Sequence, residues 1–226
     1  MDRATLAGMI DQTLLKPTVG YQKASEWMEA AAEQGFAALC VSPFLAALAS
    51  QRLAGLPTQV CSVCAFPLGY ANTESKAEEA VHLVQLGCDE VDMVLNFAAL
   101  LEGDDRFVHD DIAAVVRAVA DASAGRAIVK VILETGYLDN AAIERGCTLA
   151  VKAGAQFVKT STGFGPRGAS VEDVRIMRAT VGPDVGVKAA GGIRDLETAL
   201  AMIDAGASRI GTSSGIEILE ALVARG

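Results

Sequence analysis

Three lysines of this chain interrupt short apolar runs, where a charged side chain is unusual. They are Lys130 in Val129-Lys-Val-Ile132, Lys159 in Phe157-Val-Lys-Thr160 and Lys188 in Val187-Lys-Ala-Ala190. Lysine is rarely buried without a compensating partner, and burial together with nearby positive charge lowers the pKa of an amine. An amine that is partly neutral near pH 7 attacks carbonyl carbon and forms a Schiff base. The pattern therefore predicts a lysine nucleophile that other lysines make reactive.

Strand-like and helix-like segments alternate along the chain, which is typical of a parallel α/β fold. Four segments repeat the order of a helix end, a glycine and a strand, with glycines at Gly35, Gly87, Gly154 and Gly206. Each interval between them has room for one further strand and helix, so the repeat predicts eight strands. We place these strands at residues 10–14, 37–41, 59–65, 90–95, 128–133, 156–160, 185–189 and 209–212.

The predicted fold is a (β/α)8 TIM barrel of the α/β class, formed by residues 1–226 as one domain. A short extra N-terminal helix is expected at residues 5–9, and an inserted turn or loop near residues 100–106. An open parallel sheet with helices on both faces is the alternative. In a barrel, residues at the C-terminal ends of the strands form the active site. The residues predicted to lie there are Asp11, Cys40, Asp92, Lys130, Lys159 and Lys188.

Two segments rich in glycine and serine follow the seventh and eighth strands, and each leads into a helix. They are Ala190-Gly-Gly-Ile193 and Gly211-Thr-Ser-Ser-Gly215. Barrels commonly bind phosphate at this place, through backbone amides and a helix N-terminus. Paired glycines let the backbone approach a ligand closely, and serine hydroxyls add donors. Arg194 and Arg209 are candidate further contacts, although exposure or pairing with an acid is the simpler expectation for each.

Composition excludes several classes of partner. A net charge of −9 without a cluster of lysine and arginine argues against nucleic acid, whose binding needs concentrated positive charge. The longest apolar run, residues 36–49, is interrupted by Ser42-Pro43 and is too short to cross a bilayer. Five cysteines without an export signal predict a cytoplasmic protein. Two histidines, neither at metal-ligand spacing, do not supply a histidine-based metal site.

Six motifs together resemble the deoxyribose-phosphate aldolase family, and the resemblance runs from Ile10 to Gly215. The motifs are Ile10-Asp-Gln-Thr-Leu-Leu-Lys-Pro17, Val91-Asp-Met-Val-Leu-Asn96, Lys130-Val-Ile-Leu-Glu-Thr135, Val158-Lys-Thr-Ser-Thr-Gly-Phe164, Val187-Lys-Ala-Ala-Gly-Gly-Ile-Arg194 and Gly211-Thr-Ser-Ser214. The resemblance implies reversible cleavage of 2-deoxy-D-ribose 5-phosphate to D-glyceraldehyde 3-phosphate and acetaldehyde. It implies no metal and no cofactor.

The resemblance also implies a role for individual residues. Lys159 matches the family's Schiff-base lysine, whereas the residues alone left the choice among three lysines open. Asp92 and Lys188 match its proton-transfer pair. The residues that match its substrate pocket are Asp11, Cys40, Lys130 and Thr162. The residues that match its phosphate site are Gly163, Gly191, Gly192, Gly211, Ser213 and Ser214.

Three other functions fit parts of the same pattern. Another Schiff-base barrel aldolase would use the same lysine chemistry, and a pyridoxal-phosphate enzyme would need both a lysine and a phosphate cradle. A phosphosugar-binding barrel without catalysis is also consistent with the fold, since fold does not dictate function. Beyond the small-molecule phosphosugar and acetaldehyde, the expected partner is a second copy of the chain, in a homodimer or a homotetramer.

Overall fold

The computed structural model describes residues 1–225, and eight parallel strands run through it. Two of them, Ile10–Leu14 and Arg209–Thr212, have the bounds that the sequence predicts, and the others differ by one residue at one or both ends. The strands are β1 Ile10–Leu14, β2 Ala38–Val41, β3 Gln59–Cys64, β4 Glu90–Val94, β5 Ile128–Ile132, β6 Phe157–Lys159, β7 Gly186–Ala190 and β8 Arg209–Thr212.

Each strand pairs in parallel with the next one along the chain, and β8 pairs with β1. The sheet is therefore a closed barrel, which confirms the (β/α)8 prediction and excludes the open sheet. Pairing across β4 and β5 sets Asp92 beside Lys130, and pairing across β6 and β7 sets Lys159 beside Lys188. This register places four charged residues of the sequence patterns on consecutive strands.

Ten helices cover the barrel or flank it in the described part of the chain. The short N-terminal helix lies two residues earlier than predicted, and α5 accounts for most of the insertion expected near residues 100–106. The helices are α1 Arg3–Ala7, α2 Tyr21–Ala32, α3 Ala46–Leu53, α4 Thr73–Gln85, α5 Phe97–Glu102, α6 Asp105–Ser123, α7 Asn140–Lys152, α8 Val171–Val181, α9 Leu196–Asp204 and α10 Gly215–Arg225. None of these helices has the length and apolar character needed to cross a membrane.

Short polar side chains start several of the barrel helices. The side chains of Asn72, Asp139 and Asp195 each accept a hydrogen bond at 2.8 Å from the amide three residues later. These bonds satisfy amides that have no partner within the helix. The same positions follow the loops after β3, β5 and β7, so capping fixes where each loop at the C-terminal end of the barrel stops.

Apolar and polar side chains alternate along the strands, so the outer face of the barrel is apolar and the inner face is polar. In β4, Val91 and Met93 join the large apolar core between strands and helices, whereas Asp92 faces the inside of the barrel. Neighbouring residues of a strand point to opposite faces, and the same rule sends Cys61 inward and Cys64 outward. The apolar layer therefore holds the barrel together while the inner positions are free to carry charge.

The first prediction concerns the close approach of β7 to β6. A methyl group at Gly186 would collide with the ring of Phe157, so Gly186→Ala must displace either the ring or the strand. We expect the free energy of unfolding to fall by about 1–3 kcal/mol, as for other overpacked sites, measured by urea denaturation. Gly8→Ala is the matched control, because its methyl group would lie 3.5 Å from the Ala4 carbonyl oxygen, an ordinary contact. Equal stability of the two variants would contradict the prediction.

Candidate active site

The carboxylate of Asp92, in the middle of β4, lies among the ammonium groups of three lysines. Lys130 donates to Oδ1 at 2.8 Å, and Lys159 and Lys188 each donate to Oδ2 at 2.7 Å. All four side chains are almost completely buried, and they come from the consecutive strands β4 to β7. The structure thus brings the three lysines of the sequence pattern together around one acid.

A second layer of charge lies below this cluster. Asp11 on β1 pairs with Lys188 at 2.5 Å and accepts a hydrogen bond from Arg209 at 2.5 Å. Glu90 pairs with Lys130 at 2.5 Å and with Arg209 at 3.3 Å. Counting Asp92 and Lys159, three carboxylates face four cations, so the cluster formally carries one net positive charge. The loss of one proton from one lysine would leave the buried charges balanced.

The ion pairs keep most of these groups charged despite their burial. Burial alone would raise the pKa of Asp92, but Lys130, Lys159 and Lys188 hold that pKa well below its ordinary value. Burial also opposes ionisation of Asp11, yet nearby cations, with Lys188 foremost, lower its pKa to about 2. The pKa values of Lys130 and Lys188 are raised because Asp92 and Asp11 outweigh the effect of burial. Asp92 is therefore an ionised carboxylate at neutral pH.

Two buried cysteines lie beside the cluster. Cys61 donates a hydrogen bond from its thiol to Asp92 at 3.3 Å, and burial raises its pKa well above the ordinary value. Cys40 packs in a small inner cluster with Ala38, Cys61 and Val63, and its hydrogen bond with Cys61 lowers its pKa. Cys40 is fully buried and is not part of the wall of the cavity that opens at the barrel mouth.

Two groups of three acidic or thiol side chains have donor atoms within 4.8 Å of one another. They are Cys40, Cys61 and Asp92, and Asp11, Cys61 and Glu90. The carboxylates in both groups are already paired with lysine or arginine. A metal ion at either place would have to displace an ammonium group.

A cavity of about 560 Å³ opens at the C-terminal end of the barrel, and Lys159 lies in its wall. Lys130, Lys188, Asp92 and Asp11 do not contribute to that wall, because they lie deeper in the barrel. The rest of the wall comes mainly from the ends of β1, β7 and β8 and the loops after β1, β6, β7 and β8, with residues of α2 and α10. The predicted phosphate residues and Thr162 are all part of it: Thr162, Gly163, Gly191, Gly192, Gly211, Ser213 and Ser214.

Backbone amides in these loops are available to an anion. The amides of Gly163, Gly192 and Ser213 donate no hydrogen bond to another described residue. Gly163 and Gly192 have φ values of 88° and 80°, a region in which glycine is unstrained. Helix α10 begins at Gly215, directly after Ser214, and helix N-termini favour anions. The arrangement suits a phosphoryl group better than a neutral ligand.

Gln12 holds the loop after β8 in place. Its side-chain oxygen accepts a hydrogen bond from the Gly215 amide at 2.9 Å, and its amide nitrogen donates to the Ser213 carbonyl at 3.3 Å. Only 2% of Gln12 is exposed, so these bonds form away from solvent. Gln12 therefore connects β1 to the segment that carries the two serines.

Cations that form no ion pair with another described residue also line the cavity. They are Lys16 in the loop after β1, Lys23 on α2 and Arg194 after β7. Of the two arginines considered as phosphate contacts, Arg194 therefore lines the cavity. Arg209 does not line it and pairs with Asp11 and Glu90 inside the barrel. In a chain with a net charge of −9, this grouping gives the cavity mouth a local positive potential that favours anionic ligands.

Sequence reasoning missed Glu90, Lys16 and Lys23. Glu90 lies two residues before Asp92 on the same strand, so the strand period alone would have placed it on the same inner face. Lys16 follows β1 within the Ile10–Pro17 motif but carried no such signal of its own, and Lys23 reaches the cavity from α2.

The chain matches known aldolases along most of its length. A model of the DeoC/LacD family aldolase matches residues 1–221. A deoxyribose-phosphate aldolase of Geobacillus sp. (strain WCH70) is 50% identical over 215 residues, which cover 95% of each chain. One from Aciduliprofundum boonei is 50% identical over 222 residues, which cover 98% of this chain and 99% of the other.

Solved structures agree with this assignment. The deoxyribose phosphate aldolase of Aeropyrum pernix, whose structure is described as a unique tetramer, superposes with a TM-score of 0.90 at 32% identity. The superposition covers 100% of this chain and 94% of that one. The buried lysine cluster inside a closed barrel agrees with the matched family model and with the two sequence relatives. The chain belongs to the DeoC/LacD family of aldolases.

Proposed function

We propose that this aldolase cleaves 2-deoxy-D-ribose 5-phosphate reversibly to D-glyceraldehyde 3-phosphate and acetaldehyde, through a Schiff base on Lys159. One observation carries the proposal: Lys159 is the member of the lysine cluster that reaches the cavity, and the same cavity contains a cradle of free amides. One elongated substrate could therefore place its aldehyde carbon at Lys159 and its phosphoryl group at the glycine and serine loops.

Lys159 is also the lysine of the cluster whose proton is held by the fewest acids. It pairs with Asp92 alone, whereas Lys188 pairs with two carboxylates and Lys130 with three. A free amine is the form that attacks a carbonyl, and Lys159 has the fewest ion pairs to give up. Lys130 and Lys188 serve in this proposal as fixed charges that lie behind the nucleophile.

The first half of the reaction forms the electron sink. The amine of Lys159 adds to the aldehyde carbon of the open-chain sugar, and the resulting carbinolamine loses water to give an iminium ion. Asp92 lies 2.7 Å from both Lys159 and Lys188, so its carboxylate oxygen is placed to pass protons between these groups during dehydration. Because its pKa is lowered, Asp92 returns to the ionised form after each proton transfer.

The second half breaks the carbon–carbon bond. A base removes the proton of the hydroxyl on carbon 3, that carbon becomes the aldehyde of glyceraldehyde 3-phosphate, and the bonding electrons of carbons 2 and 3 move into the iminium nitrogen. The remaining two-carbon enamine is protonated at carbon 2 and hydrolysed to acetaldehyde. The proton for carbon 2 comes, in this proposal, from water held by Asp92 and Lys188. All steps run in reverse for synthesis.

Assembly and location complete the proposal. We expect a homodimer or homotetramer, a view that the described tetramer of the Aeropyrum pernix relative supports, and we place the reaction in the cytoplasm.

The second prediction tests the nucleophile. Borohydride reduction in the presence of acetaldehyde should leave an ethyl group on Lys159, located by peptide mass mapping, because reduction traps the Schiff base. Lys159→Leu should lose at least about 10³-fold in kcat while its circular dichroism stays unchanged. Lys152→Leu, a change at the exposed end of α7, should behave as wild type. Label on Lys130 or Lys188 would reassign the nucleophile, and no label on any lysine would exclude the covalent mechanism.

The third prediction concerns Lys188. Lys188→Leu removes one of the two cations that donate to Asp92 Oδ2, so the proposed proton transfer between Asp92 and Lys188 is lost. We expect kcat to fall by about 10²-fold or more, measured by steady-state kinetics, while the circular dichroism stays unchanged. A folded variant with the wild-type kcat would show that Lys188 takes no part in proton transfer.

The fourth prediction concerns the cations of the cavity mouth. Lys16→Met and Lys23→Met should each raise KM for deoxyribose 5-phosphate about 3- to 5-fold, the effect of one exposed charge, without changing kcat/KM for unphosphorylated deoxyribose. Added salt should raise the wild-type KM and affect the double variant less. Lys152→Met serves as the control. Equal losses with both sugars would contradict a contact with the phosphoryl group.

A further inference from the structure

A buried acid that the proposed mechanism does not use lies next to the turn that follows Lys159. Glu134, directly after β5 and the residue Leu133, is 1% exposed, and its backbone is left-handed at φ 57° and ψ 61°. Few residues other than glycine adopt this conformation, and it persists where the surrounding structure enforces it. Its carboxylate forms no ion pair with a described residue, so hydrogen bonds hold it in place.

Those bonds come from Thr162. The Glu134 Oε2 atom accepts a hydrogen bond from the Thr162 amide at 3.2 Å and a short one from the Thr162 hydroxyl. The same hydroxyl accepts a hydrogen bond from the Phe164 amide at 3.0 Å. Its single proton is therefore used on Glu134, and one of its lone pairs on Phe164. A substrate hydroxyl could donate only to the remaining lone pair of this oxygen, because the Thr162 proton is already used on Glu134.

The carboxylate is packed against the backbone of this turn. A methyl group at Gly165 would lie 2.7 Å from the Glu134 carboxyl carbon, so residue 165 must lack a side chain. A second connection lies beside the first, because the Thr135 amide donates to the Thr160 carbonyl at 2.9 Å. The loop after β5 thus fixes the turn of residues 161–165 at several points.

We propose that Glu134 is a positioning residue that holds this turn in its ligand-binding conformation. Gly163 lies between Thr162, which Glu134 binds directly, and Phe164, whose amide binds the Thr162 hydroxyl. The free amide of Gly163 is part of the cavity wall together with Lys159. By fixing Thr162, the carboxylate orients the Gly163 amide toward the bound phosphoryl group. It also sets the distance between that amide and Lys159, which ends β6, whereas the serine loop follows β8. The proposal rests on the proposed function, since it assigns a phosphorylated substrate to the cavity.

The test compares Glu134→Gln and Thr162→Val, alone and combined, with wild type. Each single variant should raise KM for deoxyribose 5-phosphate about tenfold with less than about threefold change in kcat, and weaken binding of inorganic phosphate by a similar factor in calorimetry. Because both residues act through one contact, the double variant should be no worse than the worse single variant. Thr162→Ser keeps the hydroxyl that Thr162→Val removes, so its KM should be close to the wild-type value. Thr148→Val, which removes a hydroxyl bound to Glu144 on α7, is the matched control.

The outcomes separate this inference from the function it rests on. Wild-type enzyme that fails to cleave deoxyribose 5-phosphate would refute the proposed function, and phosphate calorimetry would still report on the turn. Unchanged phosphate binding in both variants, additive losses in the double variant, or no rescue by Thr162→Ser would each refute the role of Glu134. A loss confined to kcat would refute it as well, because a misplaced Gly163 amide weakens binding first.

Discussion

The structure depends on one buried carboxylate that balances three ammonium groups. Asp92 receives hydrogen bonds from Lys130, Lys159 and Lys188, and it is the one carboxylate among the described residues that pairs with Lys159. Removing one partner of a buried ion pair typically costs about 3–5 kcal/mol, because a charge is left uncompensated. The same pairing that makes the inner layer stable also places a proton acceptor against the candidate nucleophile.

Depth in the barrel distinguishes the three lysines. Lys130 and Lys188 are fully buried and pair with Asp11, Glu90 and Asp92, so they belong to a buried network of ion pairs. Lys159, the last residue of a three-residue strand, reaches the cavity. The surrounding loops are fixed from the neighbouring strands by buried polar side chains, Gln12 on one side and Glu134 on the other. The candidate nucleophile thus lies at the end of a strand, and most of the cavity wall around it comes from loops.

Much of the fold could be predicted from the sequence, because its periodicity is a local property. Glycines such as Gly35 and Gly87 mark each helix end, and the alternation of Val91, Asp92 and Met93 fixes which face of the strand is apolar. Strand ends were predicted less well, since hydrogen bonding to the next strand decides where a strand stops. The prediction that three buried-strand lysines meet was confirmed in the structure, and the family was confirmed by the matched relatives.

The sequence by itself determined the barrel, the lysine cluster and the position of the glycine and serine loops, since these follow from spacing along the chain. It did not determine how far each charged side chain lies from solvent. Contact of Asp11, Cys40 and Lys130 with substrate stays a prediction. The structure shows that all three are fully buried, because barrel register sets the depth of each inner residue. The contacts of Glu134 with Thr162 and of Gln12 with Ser213 join residues far apart in the chain. Pairing of β5 with β6 brings the first two together, and only closure of the barrel between β1 and β8 brings the second two together.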